Sequence, residues 1–224
     1  MLAAKYGGKS VLENHHVDLC FAILNDPAHN PLGRWSALEQ YKGKIKIKRM
    51  ILKTDMSVHN DLVKMLEERG KRPASGLPCF DFNDDEDVAE YLEAIMHAAD
   101  IANSVRPFEQ SSVLATRLAV EFNLQTEREK ALGLPVADFM CQPTITDVCK
   151  GEEGFLLHVA KPYWLALHSI FPQVEPELEQ LERNVQGWRD LARSVAGTPM
   201  AIEPVADWLL RRTGCEPSHP VPSH

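Results

Sequence analysis

The sequence predicts an all-α fold. Apolar residues recur at helical spacing along most of the chain, strand-like alternation is nearly absent, and each candidate helix is bracketed by its own start and stop residues. Ser10 is placed to cap a first helix over residues 10–25, where Leu12, Leu19, Ile23 and Leu24 are expected to line much of one side and Asn25-Asp26-Pro27 ends the run. After a break at Pro31-Leu32-Gly33, a second helix is expected from about Arg34 to Thr54. Within it, Lys42 to Arg49 alternates basic and apolar residues; this suits a short strand or the solvated face of a helix, and the helical reading is favoured. A third helix spans about Ser57 to Glu68, closed by Gly70, and residues 71–83 form a Pro/Gly-containing loop. Asp84 to Asp87 then place negative charge at the positive end of a helix running to about Asn103. The next helix runs from Pro107 or Phe108 to Lys130, and Gly133, Pro135 and Pro143 mark a loop. A further helix covers about Thr146 to Ile170 with a kink expected at Pro162, and Pro176 opens the helix 176–195 in its first turn. About seven helices result. Residues 200–224 read as a tail, and the three prolines among Cys215 to His224 predict disorder there.

At 224 residues the chain can bury one good-sized core, and 44% apolar with 25% charged residues is ordinary for a globular protein. No apolar run approaches 18 residues, so no membrane span is expected, and the N-terminus lacks the basic-then-apolar pattern of a secretory signal. A net charge of −8 argues against nucleic acid as the main partner. Five cysteines with no C-x-x-C pair read as reduced thiols in the cytoplasm. There is no internal repeat, no glycine-rich phosphate loop and no self-contained metal motif such as H-E-x-x-H.

The stretch His97-Ala98-Ala99-Asp100-Ile101-Ala102-Asn103 carries the most information. Its polar residues at 97, 100 and 103 fall on one side of a helix otherwise lined by Met96, Ala99 and Ile101. An imidazole and a carboxylate on an apolar face need a partner, which an ion pair or a metal ion can supply.

Val11-Leu12-Glu13-Asn14-His15-His16, then Leu52-Lys53-Thr54-Asp55-Met56-Ser57-Val58-His59, then His97 to Asn103, and then Leu114 to Phe122 follow in that order. Together they resemble the class I 3',5'-cyclic-nucleotide phosphodiesterase catalytic domain over most of residues 2 to 195. The resemblance implies a compact multi-helix fold of the HD type over residues 1–199. It also implies hydrolysis of cAMP or cGMP to the 5'-monophosphate by two divalent metal ions, zinc and magnesium, in cyclic-nucleotide signalling. A metal pair suits this chemistry because each ion lowers the pKa of a shared water and stabilises charge on the phosphoryl oxygens.

By the same resemblance, Asp100 is a direct zinc ligand, and Glu13 and Thr54 hold waters on the second metal. His15, His16 and His59 are packing and support residues. The nucleotide is met by Met56, Ile101, Asn103, Leu118, Phe122, Glu152 and Phe155, with Phe155 stacked on the purine. Helical spacing alone would place Leu118, Phe122 and Phe155 in the core.

The chain departs from the family pattern at several points. The motifs His-Asn-x-x-His-Ala-x-Asp and His-Asp-x-x-His, which supply the other zinc ligands and the general-acid histidine, occur nowhere in it. The domain is therefore expected to be incomplete at its N-terminus, with no catalytic acid, and the 224 residues alone to be inactive and prone to self-association through uncovered apolar surface. Glu152 stands where the family places a glutamine. An ionised carboxylate only accepts hydrogen bonds, so it reads either purine worse than an amide unless it is protonated, and the neighbouring Glu153 disfavours two charges together. Ser104 stands where many members have proline. The alternative to an enzyme is a non-catalytic remnant serving as a binding or interaction module.

Overall fold

The computed structural model describes residues 2–196, which hold helices and loops and no β-strand. The expected tail at 200–224 lies outside the described residues, as does Cys215. The described residues divide into two compact units, residues 2–101 with 166–172, and residues 102–165 with 173–196.

In the first unit, α1 (Leu2–Lys5) leads through Gly7 and Gly8, both at positive φ, to α2 (Val11–Asn25). Ser10 occupies the N-cap position of α2 in the left-handed region, at φ 44°, and makes no side-chain cap. Its hydroxyl instead donates to Asp55 Oδ2 at 2.7 Å. The expected apolar side of α2 is not buried: Val17 and Leu24 are, whereas Leu12, Leu19 and Ile23 are more than half exposed. The periodicity is real, but among the described residues nothing covers that stripe.

α3 (Ala37–Leu52) starts on a capping box between Ser36 and Glu39, which settles Lys42–Arg49 as helix. Its basic residues face the acidic first turns of α5 (Asp85–Asp100): Lys42 and Lys46 share the Asp85 carboxylate, and Arg49 bridges Glu86 and Glu93. Between them in the chain comes α4 (His59–Lys71), preceded by a 3-10 turn at Met56–Val58 that Asp55 caps. Gly70 lies inside α4 rather than closing it. A Cβ there would meet Ser169 Oγ at 2.5 Å, so the glycine permits a close approach. Asp84 caps α5 through the N–H groups of Glu86 and Asp87. The unit's small apolar core includes Leu62, Leu66, Phe80 and Ala94, with Phe80 stacked on Phe171.

In the second unit, a 3-10 turn (Ala102–Val105) precedes α6 (Phe108–Ala131). The loop that follows contains a 3-10 turn at Asp138–Met140, and a Thr144–Asp147 capping box opens α7 (Ile145–Phe155). The irregularity expected at Pro162 takes the form of a π-helical stretch, Leu156–Ala160, before α8 (Lys161–Ile170), which belongs to this unit through Leu165. Proline has no N–H to donate and crowds the carbonyl four residues back, and the wider turn relieves both. α9 (Glu175–Ser194) begins with Pro176 in its first turn, as expected. It packs on α7 and on the Ala102–Val105 turn. Trp188, Tyr163, Ile145, Leu156 and Leu181 are fully buried. Asn184, also buried, donates to the carbonyls of Ser104 and Arg106, and Trp164 Nε1 donates to Ser104 Oγ. With α1 set aside and α7 and α8 counted as one interrupted helix, the described residues hold the expected seven.

Candidate active site

In the first unit, α5 ends at Asp100, with Ile101 as its C-cap, so residues 97, 100 and 103 do not share one helix. The motif separates by environment. His97 is fully buried. Its Nδ1 lies 2.9 Å from the Lys53 carbonyl and its Nε2 lies 2.9 Å from His59 Nδ1. A carbonyl can only accept, so Nδ1 carries the proton, Nε2 accepts and His59 donates. Burial pushes the His97 pKa down, which fits this neutral arrangement. Asp100, in contrast, is exposed on the last helical residue. A carboxylate there meets the negative end of the helix dipole, a position that favours a cation nearby.

Glu13 is half-buried in the first turn of α2. Thr54 is half-buried and donates to the Ile51 carbonyl at 2.8 Å. Asp55, to which the motifs assign no role, fixes the backbone beside Thr54: it accepts from Ser10 Oγ and Ser57 N, and the Ser10 bond holds its pKa below the ordinary value. An aspartate immediately before a turn, placed to accept from the N–H two residues on, was the signal for it. Met56 is exposed and Ile101 is buried.

Among the described residues, no three His, Cys, Asp or Glu side chains converge to hold a metal ion. Asp100, Glu13 and Thr54 carry oxygen donors that suit a divalent ion, but by themselves they do not compose a two-metal site.

In the second unit, Asn103 donates weakly to the Ser111 carbonyl at 3.4 Å, while its Oδ1 is buried without a hydrogen-bond partner. That orphan acceptor is costly unless a donor arrives. Ser104, in place of the family's proline, is buried and serves as a hydrogen-bond hub for Trp164 and Asn184. Leu118 and Phe122 sit one turn apart on α6. Leu118 is 43% exposed and Phe122 half-buried, its ring edge-on to Phe139 at 6.2 Å. Glu152 and Phe155 lie three residues apart on α7, both half-buried. None of Leu118, Phe122 and Phe155 is in the buried core that helical spacing alone would assign to them.

The loop before α7 positions this set. Asn123 and Gln142 exchange two hydrogen bonds, 2.8 and 2.9 Å, tying α6 to the loop. The Gln142 amide then lies so close to α7 that a Cβ on Gly151 would meet its Nε2 at 2.7 Å. Desolvation raises the Glu152 carboxyl to about 7. The expected cause, charge repulsion from Glu153, is not the operative one: Glu153 pairs with Arg189 at 2.7 Å. Near neutral pH Glu152 is therefore a mixed donor and acceptor, closer to a glutamine in behaviour than its residue type alone implies.

The profile of the 3'5'-cyclic nucleotide phosphodiesterase family matches residues 1–181. The human high affinity cGMP-specific 3',5'-cyclic phosphodiesterase 9A is 32% identical over 179 residues, covering 78% of this chain and 28% of that protein. The rat 3',5'-cyclic-AMP phosphodiesterase 4C is 29% identical over 207 residues, covering 91% of this chain and 38% of that protein. The crystal structure of the phosphodiesterase domain of the RhoPDE fusion protein from the choanoflagellate Salpingoeca rosetta is similar at a TM-score of 0.80 and 32% identity, over 86% of this chain and 60% of that one. The chain belongs to the 3',5'-cyclic nucleotide phosphodiesterase family. It spans well under half the length of the two curated relatives.

Proposed function

We propose that this chain serves the hydrolysis of a 3',5'-cyclic nucleotide, cAMP or cGMP, as part of a phosphodiesterase catalytic domain. The observation that carries this reading is the family match over residues 1–181. In it Asp100 is a metal ligand, and Glu13 and Thr54 hold metal-bound water. Two divalent ions, zinc and magnesium, supply the Lewis acidity when bound. Met56, Ile101, Asn103, Leu118, Phe122, Glu152 and Phe155 meet the nucleotide. The exposure of Asp100, the orphan acceptor on Asn103 and the accessibility of Leu118 support these roles.

A second reading, a non-catalytic binding module, is favoured by one observation: the described residues bring no three metal-ligating side chains together. On either reading the 224 residues alone are expected to lack turnover, and the exposed Leu12, Leu19 and Ile23 support self-association.

Two measurements test this. Equilibrium binding of cAMP and cGMP to the purified chain is expected to weaken at least about tenfold in Phe155→Ala, in line with the loss of a stacked base. Absence of binding by the unmodified chain at millimolar nucleotide would remove the nucleotide from both readings. Hydrolysis with Mg²⁺ and Zn²⁺, beside Asp100→Ala, then separates them. Turnover abolished by the variant would show that a working metal site forms from these residues, while binding without turnover would favour the module.

A further inference from the structure

The first unit contains a cavity of about 460 Å³, lined by Tyr6, Lys9, Ser10 and Asn14 together with Arg49 and Lys53. That is an ordinary size for a small-molecule site. None of the residues assigned above to the metal or the nucleotide lines it.

Three cations, Arg49, Lys9 and Lys53, stand in its wall. Glu93, also in the wall, accepts from Arg49 Nε at 2.5 Å, and the rest of that guanidinium is held by Glu86 at 2.6 Å. Arg49 is thereby neutralised. Lys9 and Lys53 remain, and among the described residues neither forms an ion pair. Each has a bland explanation taken singly. Lys53 caps the C-terminal end of α3, where a cation is favoured, and Lys9 is a loop lysine. Neither explanation accounts for two cations without an ion pair in the wall of one cavity.

The start of α2 stands in the same wall. Ser10 gives its hydroxyl to Asp55, so no side chain caps the start of the 15-residue α2. An anion is favoured at such a terminus. Asn14 directs its amide to the carbonyls of Lys9 and Ser10, which holds the Gly7–Ser10 loop in place and leaves the two lysines as an anion's partners. Leu52 and Val58 supply apolar wall.

We propose that this cavity binds a small phosphate-bearing molecule, its phosphate between Lys9 and Lys53 and its apolar part against Leu52 and Val58. The site stands independently of the cyclic-nucleotide reading. Inorganic phosphate and phenyl phosphate are the probes, titrated into the full 224-residue chain and followed by the backbone amide resonances of Lys9 to Asn14 and the imidazole of His97, which contacts the Lys53 carbonyl. Both probes are expected to shift these signals, phenyl phosphate at lower concentration. Lys9→Gln with Lys53→Gln is expected to weaken phenyl phosphate at least about tenfold, and each single change about threefold, since each removes one charge pair in a partly aqueous site. Binding of cAMP is expected to be unchanged in all three variants. Circular dichroism melts verify folding, and the single variants decide if the double one does not fold. Shifts confined to other residues, or affinity in a folded variant equal to that of the unmodified chain, would overturn the proposal.

Discussion

The two units hold their helices together by different means. In the first, helices meet through charge: Lys42 and Lys46 on Asp85, Arg49 on Glu86 and Glu93, Arg69 on Asp87 and Glu90, and Arg72 on Asp87. Its buried polar residues are His59, Asp87, Glu93 and His97, and α3 buries no residue at all. In the second, the buried polar residues are uncharged hydroxyls and one amide, and the core is large and apolar, centred on Trp188, Tyr163, Ile145 and Leu181. Apolar burial stabilises without regard to pH or salt, whereas a buried ion pair contributes little net stability and costs much when one partner is removed. The first unit therefore leans more on charge than on apolar burial, and it is also the unit that carries Asp100, Glu13 and Thr54.

The largest loss should come in the second unit. Trp188→Ala removes a fully buried side chain that meets Phe108 edge-on at 5.3 Å, and about 3–5 kcal/mol of stability should be lost in urea unfolding. A loss below about 1 kcal/mol would mean that this core is not the main support. Next, Arg49→Leu leaves Glu93, 3% exposed, without its cation, and about 2–4 kcal/mol should go. Hydrogen exchange should show the opening confined to peptides of α3 and α5; uniform loss of protection would contradict two distinct modes of support.

Two pH effects act with opposite signs in the two units. Glu152 has a folded pKa near 7, above its ordinary 4.5. Its burial costs nothing below about pH 4.5, costs more as pH rises towards 7, and levels off above that. Glu152→Gln should therefore raise stability by about 1–3 kcal/mol at pH 8 and leave it unchanged at pH 4. A pH-independent gain would show that desolvation of the charge is not the cause. For His97 the folded pKa is depressed, so the unfolded chain takes up a proton first as pH falls below about 6.5. As pH falls from 7.5 to 5.5 the chain should lose stability that His97→Gln does not lose. The smallest effect is expected at the surface. Arg193 and Asp190 form an exposed pair at 2.5 Å, and Asp190→Asn should change stability by less than about 0.5 kcal/mol.

Much of this was legible in the residues. The acidic start at Asp84 and Pro176 in the first turn of α9 mark where helices begin, because these signals act within a single turn. The order of four motifs was enough to identify the family. Less was legible where distant residues compete for one group. Ser10 reads as a cap, but Asp55, 45 residues away, takes its hydroxyl. Gly70 reads as a stop, but Ser169 requires its missing Cβ. Glu153 reads as the neighbour that protonates Glu152, but Arg189 neutralises it.

The all-α class, most helix boundaries and the candidate residues follow from the order of amino acids, since periodicity and capping are local properties of the chain. Environment was settled only by packing. It parted His97 from Asp100 into a buried neutral imidazole and an exposed carboxylate, left the apolar stripe of α2 open, and desolvated Glu152 into the physiological range. Burial and partner choice depend on residues far apart in the chain, and no local pattern encodes them.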